Sequence, residues 1–223
     1  MKFKSNHGTE DGARVYSPLV LRMYDWWVLG FSNRYAWRCP TRSVLLPFFQ
    51  KHLSENHLDV GVGTGYFLKN SMLPSKQRIA LLDLNRNSLE SACTKIAHLQ
   101  PLLIQEDILN PCGALEQRKF DSISLFGLLH CLPGDMPAKA PVFEFLSRHL
   151  STNGTLYGVS VLGDGVAHNW LGSRLMKLYN KKGIFGNRCD TLTELQSTLS
   201  RYFTKVTVTQ HGKVALFTAT ADA

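Results

Sequence analysis

The chain reads as an α/β protein, a mostly parallel sheet with helices on both faces, and three observations predict this. Residues 58–67, Leu-Asp-Val-Gly-Val-Gly-Thr-Gly-Tyr-Phe, form a short apolar run, a glycine turn and a helix start. Further apolar runs at 79–84, 101–104, 120–127 and 155–161 alternate with helical stretches, the rhythm of βα units. Near the end, 203–209 and 214–219 are joined by the tight connection His211-Gly212-Lys213, so those two strands must be antiparallel. At 223 residues, with no repeat and no linker, a single domain with a full core is expected.

Ahead of the sheet, residues 1–54 are expected to form a helical cap. Residues 1–15 are polar, and Ser17-Pro18 then offers an N-cap and a proline at the first helical position. The helix should run from Leu19 to about Leu29 and stop at Gly30. It is apolar nearly all round (Leu19, Val20, Leu21, Met23, Tyr24, Trp26, Trp27), so it must be buried on several sides or roof a pocket. Arg34, Arg38 and Arg42 recur every four residues, but Cys39-Pro40 interrupts any continuous helix. A second helix should cover 41–53, bent at Pro47.

Glycines 61, 63 and 65 let the backbone turn sharply and leave room for a ligand against it. The following helix points its N–H groups into that space. Asp59 puts a carboxylate beside it, which suits a positively charged ligand better than a pyrophosphate. The third glycine also falls one residue early for the dinucleotide fingerprint G-x-G-x-x-G, since Tyr66 follows Gly65.

The pattern D-x-G-x-G-x-G over 59–65 resembles motif I of the class I S-adenosylmethionine-dependent methyltransferases. The likeness covers roughly 55–220. It implies a Rossmann-like seven-stranded sheet in the order 3-2-1-4-5-7-6, with S-adenosyl-L-methionine as cofactor. Asp83, 22 positions after Gly61, stands where such folds place the carboxylate that takes both ribose hydroxyls, with Leu84 beside it; a helix N-cap is its structural alternative. The resemblance assigns the adenine amine to Asp107, with Glu106 as rival, and the ring face to Ile108. Asp59, Gly61, Gly63, Gly65, Phe126 and Tyr16 complete the expected cofactor contacts.

Phe120-Asp121-Ser122-Ile123 matches a frequent family opening of the fourth strand. Leu128-Leu129-His130-Cys131-Leu132-Pro133 resembles the ubiquinone/menaquinone-biosynthesis-like branch and would set His130 at the carboxyl end of a central strand, where open α/β sheets keep their ligands. A purely structural histidine is the alternative. Methyl transfer asks mainly for alignment and exclusion of water, and needs a base only if the acceptor must lose a proton early. His130 is the first candidate, followed by His168 and Tyr24. Downstream, helices are expected over 136–150 and 170–181, a turn at 152–154, and a last helix capped by Asp190 or Thr191.

Composition narrows the function classes. No apolar run approaches the roughly 20 residues of a membrane span, and the polar amino terminus lacks a signal-peptide core, so a cytoplasmic protein is expected. Five scattered cysteines without C-x-x-C and eight histidines without H-x-x-x-H indicate neither disulfides nor a metal. The net charge of +8 invites a nucleic-acid reading, but its only local cluster, Lys177, Lys181, Lys182 and Arg188, reads as a solvated helix face. No N/D-P-P-Y/F motif follows strand four. A small, aromatic or partly apolar metabolite, as in secondary metabolism, is the expected substrate, with Tyr16, Trp26, Trp27, Phe126, Trp170 and Phe185 as pocket walls. Neither nucleic acid nor membrane is expected as a partner, and the sequence does not speak to oligomeric state. The alternatives are an RNA methyltransferase and a non-catalytic cofactor-binding subunit.

Overall fold

The computed structural model describes residues 25–111, 113, 115 and 117–220. The expected helix start at Ser17-Pro18, and with it Tyr16 and Tyr24, lies outside the described residues. Seven strands form one sheet: β1 (Asn56–Val60), β2 (Arg78–Asp83), β3 (Leu102–Gln105), β4 (Phe120–Phe126), β5 (Leu150–Val161), β6 (Lys205–His211) and β7 (Val214–Thr220). Their order is 3-2-1-4-5-7-6, with β1 to β5 parallel and β7 antiparallel to both β5 and β6.

The central strands are covered on both faces: β2 reads as a continuous apolar run, while β1 and β4 bury His57, Asp59, Ser122 and Ser124, which satisfy one another by hydrogen bonds. Leu58, Val60, Ala80, Leu82, Ile123 and Leu125 point to one side, where α6 (Met136–Ser147) and α8 (Leu192–Leu199) contribute Val142, Phe143, Leu146 and Leu195. The intervening Ile79 and Leu81 point to the other side, against Phe49, Leu89 and Ala92. The edge strand β6 alternates exposed Lys205, Thr207 and Thr209 with half-buried Val206 and Val208, so its open edge is polar.

That second face carries α1 (Asp25–Ala36), α2 (Thr41–Leu45), α3 (Leu46–His52), α4 (Tyr66–Lys69), α5 (Arg86–Lys95) and α7 (Trp170–Lys181). α1 and α2 are wide helices with a five-residue hydrogen-bond step, continued where Trp37 N–H donates to Ser32 O at 3.0 Å. The expected stop at Gly30 is overturned. Glycine ends a helix by turning left-handed, and Gly30 does not; Arg38 (φ 50°) makes that turn, just before Cys39-Pro40. The change from α2 to the tighter α3 falls beside Pro47, in the first turn of α3, where a missing N–H costs nothing.

Two boundaries differ in detail. The turn expected at 152–154 is an irregularity inside β5, where the pairing steps from Phe120↔Leu150 to Ser122↔Thr155 and Asn153 takes φ 61°. The cap of α8 is Thr191, in a reciprocal capping box with Glu194, because the Asp190 carboxylate is engaged elsewhere.

Candidate active site

β1 ends at Val60 and the chain turns at once through Gly61, Gly63 and Gly65, all with positive φ (73°, 53° and 73°). Two of these glycines serve different purposes. A Cβ on Gly65 would stand 2.7 Å from Cα of Ala92, so α5 can lie against the loop only if nothing projects there. A Cβ on Gly63 would meet nothing within 4 Å, because it would project into open space. That space is a cleft of about 980 Å³ at the carboxyl ends of the strands. Asp59, Gly61, Gly63, Asp83, Leu84, Asp107, Ile108 and Phe126 all line it, as do Leu29, Thr64, Ser88 and Glu106. Gly65 does not; it holds the loop on α5.

The cleft is negatively poised. Asp59 is buried, and burial pushes its carboxyl up to about 7, with the neighbouring Asp83 charge adding to the rise and the Ser124 hydroxyl, donating at 2.5 Å, opposing it. Asp83 is likewise raised to about 6 by burial, against the backbone N–H groups of Asn85, Gly63 and Val62 that donate to it. Below them, His57 bridges Ser122 (2.8 Å) and Ser124 (3.1 Å). Burial lowers its pKa to about 3, so this imidazole is neutral and lends no positive charge. Among the described residues neither Asp59 nor Asp83 has an ion-pair partner. Two poorly solvated carboxylates facing one cleft fit a ligand that brings a cation, such as a sulfonium with an α-ammonium.

Past the end of β3, Glu106 and Asp107 both reach the cleft. Each Asp107 oxygen already accepts a local hydrogen bond, from Leu109 N–H and from the Asn110 amide, both at 3.0 Å. The turn that aims Asp107 is therefore built by Asp107 itself.

A second chamber adjoins the cleft, sharing Leu29, Phe67, Phe126, Gly127 and Cys131 as walls. Its lining is aromatic and aliphatic: Trp27, Trp37, Val159, Val161, Tyr179 and Phe185, with His130 among them. Trp27, Phe126 and Phe185 are thus walls as expected. Trp26 and Trp170 are not; they lie on the outer faces of α1 and α7, exposed to solvent.

His130 sits in a short turn, Leu129–Cys131, with its ring edge against Phe185 at 4.5 Å between centroids. The Val161 N–H donates to its Nδ1 at 3.2 Å, which places the proton of the neutral ring on Nε2. Burial, then the charge of Lys139, lowers its pKa to about 3. His168 lines neither cavity. Its Nε2 donates to Leu162 O at 3.0 Å and its ring edges onto Trp37, so it supports a chamber wall from behind.

Sequence reasoning missed Asp25 and Thr64. Thr64, in the middle of the glycine loop, donates to Asp25 Oδ1 at 2.5 Å, and Lys95 of α5 reaches Oδ2 at 3.3 Å. This pair ties α1 to the loop and lays Leu29 over the cleft. No sequence pattern marks a contact between residues so far apart in the chain.

A family model described as a methyltransferase domain matches residues 58–156. The YbcY protein of Escherichia coli (strain K12) is 45% identical over 196 residues, covering 86% of this chain and 98% of its own length. A physcion biosynthesis cluster O-methyltransferase of Aspergillus chevalieri is 39% identical over 211 residues, covering 95% of each chain. Among solved structures, a DhpI–SAH complex aligns with TM-score 0.67 over 98% of this chain and 99% of its own, at 14% identity. The chain belongs to the class I S-adenosylmethionine-dependent methyltransferases, and its methyl donor is S-adenosylmethionine.

Carboxylates with raised pKa values at the cleft predict a pH signature for cofactor binding. A carboxyl whose folded pKa is raised holds its proton longer in the folded state. It therefore stabilises the free protein at low pH, and that stability declines as pH rises from about 4 to about 7. A cationic ligand favours the ionised forms, so affinity should change the opposite way. S-adenosylhomocysteine, which keeps the ammonium, should bind more tightly at pH 8 than at pH 5, with proton release seen by calorimetry in buffers of different ionisation enthalpy. Asp83→Ala should weaken binding by about 1.5–3 kcal/mol and flatten the lower part of that pH dependence, leaving the Asp59 part. Affinity independent of pH would mean that these carboxylates do not face the ligand.

Proposed function

We propose that the protein transfers the methyl group to a hydroxyl oxygen of a small, flat, largely apolar aromatic molecule held in the second chamber. The observation that carries this reading is the chamber itself, walled by Trp27, Trp37, Phe126 and Phe185 and sharing Phe126 and Gly127 with the cleft. Relatives covering nearly the whole chain are named as O-methyltransferases of fungi, which supports oxygen as the receiving atom.

When bound, the cofactor supplies an electrophilic methyl group on a sulfonium. In our reading Asp59 and Asp83 hold the positive end, the Gly61–Gly65 backbone receives the carboxylate, and Asp83 takes the ribose. Asp107 and Ile108 take the adenine, Leu84 and Phe126 pack against it, and the segment carrying α1 closes the cavity against water.

His130 takes a role different from a general base. Its Nδ1 lone pair already accepts from Val161 N–H, and Nε2 carries the proton. It is equipped to donate from Nε2 to the acceptor oxygen and so to favour the phenolate. The acceptor gives up its proton to solvent before the cavity closes, and the phenolate oxygen then forms its bond to the methyl carbon as the sulfur–methyl bond breaks. His130→Ala should lower kcat/KM by roughly 10- to 100-fold, as expected for a hydrogen bond to a charged group. His130→Gln, which keeps a donor, should recover part of it. The kcat–pH profile should show no inflection near 6.5; such an inflection, lost in His130→Ala, would restore the base.

The function is tested by incubating the protein with methyl-labelled S-adenosylmethionine and matched panels of naphthols, hydroxyanthraquinones, aryl amines and short RNAs. Label on aryl oxygens is the expected result. Label only on amines or RNA, or on nothing, would overturn the reading.

A further inference from the structure

We propose that the outer faces of α1 and α7, the two helices whose inner residues wall the second chamber, form a docking surface for an anionic lipid bilayer. The two helices run antiparallel and in contact: the Asn169 amide donates to Tyr35 O at 2.7 Å at one end, and Trp27 Nε1 donates to the Tyr179 hydroxyl at 3.1 Å at the other. Their inner residues, Trp27 and Tyr179 included, line the chamber. Their outer residues are neither ordinary polar surface nor plain apolar patch.

Four large side chains stand in solvent there: Trp170 is 75% exposed, Trp26 67%, Tyr35 52% and Leu178 41%. Tryptophan and tyrosine are the side chains that settle at the headgroup level of a membrane. Among them lie six exposed cations, Arg34, Arg38, Arg174, Lys177, Lys181 and Lys182. The only acid on either helix is Asp25, whose carboxylate is held by Thr64 and Lys95. Among the described residues none of the six cations is in an ion pair. Exposed basic residues interleaved with exposed aromatic and aliphatic side chains form the pattern of an interfacial helix on anionic lipid.

A nucleic acid fits this face less well. Single strands are held in a groove with bare ring faces for base stacking. Here the surface is a pair of adjoining helices, and two ring faces are already covered: Arg174 lies 5.6 Å from the Trp170 ring centroid, and Arg34 lies 5.7 Å from that of Tyr35. No helix among the described residues is long and apolar enough to cross a membrane, so the contact would be peripheral. It would set the two helices that wall an apolar chamber against the phase in which apolar compounds dissolve.

Flotation of the full chain with vesicles tests this. Partition onto phosphatidylcholine vesicles containing about one-third phosphatidylserine should exceed that onto pure phosphatidylcholine by roughly tenfold or more, and should fall as salt is raised. Lys177→Gln/Lys181→Gln/Lys182→Gln should remove most of the preference for phosphatidylserine. Trp26→Ser/Trp170→Ser should weaken partition on both vesicles. Each variant should bind S-adenosylhomocysteine as the parent does, which shows that it is folded. Equal partition on the two vesicles, no partition, or variants that partition like the parent would overturn the proposal. So would a labelled oligouridylate that displaces the protein from vesicles at sub-stoichiometric amounts, or self-association through this face in sedimentation velocity.

Discussion

Gly63→Val is expected to abolish binding of S-adenosylmethionine and S-adenosylhomocysteine, by 100-fold or more, in a protein that still folds. The new side chain would start from a point with no neighbour within 4 Å and extend into the cleft, so it would displace ligand rather than protein. A cost remains, since Gly63 has φ 53°, where a β-branched residue is strained by roughly 1–3 kcal/mol. A lowered melting temperature with a native circular dichroism spectrum is therefore part of the expected result. Gly65→Val is the informative contrast: its Cβ alone would lie 2.7 Å from the α5 backbone at Ala92, so this variant should lose the fold as well as the ligand. Ligand affinity unchanged in Gly63→Val would show that the cofactor does not lie against the glycine loop.

Lys139→Met is expected to cost about 3–5 kcal/mol of stability, the usual effect of stripping one partner from a buried ion pair. Lys139 is fully buried, with Nζ 2.6 Å from Asp190 Oδ2 and 3.1 Å from Gly186 O, and Asp190 is only 1% exposed. The pair pins the 183–190 loop to α6, and that loop carries Phe185 into the chamber. Gly186 N–H also donates to His130 O at 2.9 Å, and the Asn187 amide donates to Val161 O at 2.7 Å. Loss of the pair should therefore loosen two chamber walls and reduce activity as well as stability.

The sign of the pH effect separates this account from simple cavity formation. Burial already raises the Asp190 carboxyl, and without the ammonium nothing offsets that. In the variant the folded pKa rises further, so stability should decline as pH rises from about 4 toward neutrality, more steeply than in the parent. Lys139→Met/Asp190→Leu should recover much of the loss at pH 7. Equal loss at pH 4.5 and pH 8 in the single variant would mean that packing, not charge, is what Lys139 provides.

How much of this was legible in the sequence follows from how local each signal is. The glycine loop could be read because a backbone that turns with positive φ three times in five residues leaves few choices but glycine. β2 could be read because a strand buried on both faces tends to be apolar along its length, and β1 and β4 because their aliphatic residues still recur on one face. The hairpin of β6 and β7 followed from a connection too short for anything but antiparallel pairing. The same locality misplaced the end of α1: glycine is a frequent helix stop, yet the wide helix runs through Gly30 and ends before the left-handed Arg38.

The sequence by itself determined the strand and helix succession, the glycine loop and the identities of the carboxylates at the strand ends, since each depends on residues within a turn or two of one another. Only the tertiary structure decided what those groups can do. It set His130 against Val161 N–H and so made it a donor, moved His168 behind Trp37, turned Trp26 and Trp170 outward, and joined Asp25 to Thr64 and Lys139 to Asp190. Protonation, exposure and ion pairing depend on what surrounds a side chain in space. Those surroundings come from segments that can be more than a hundred residues away along the chain.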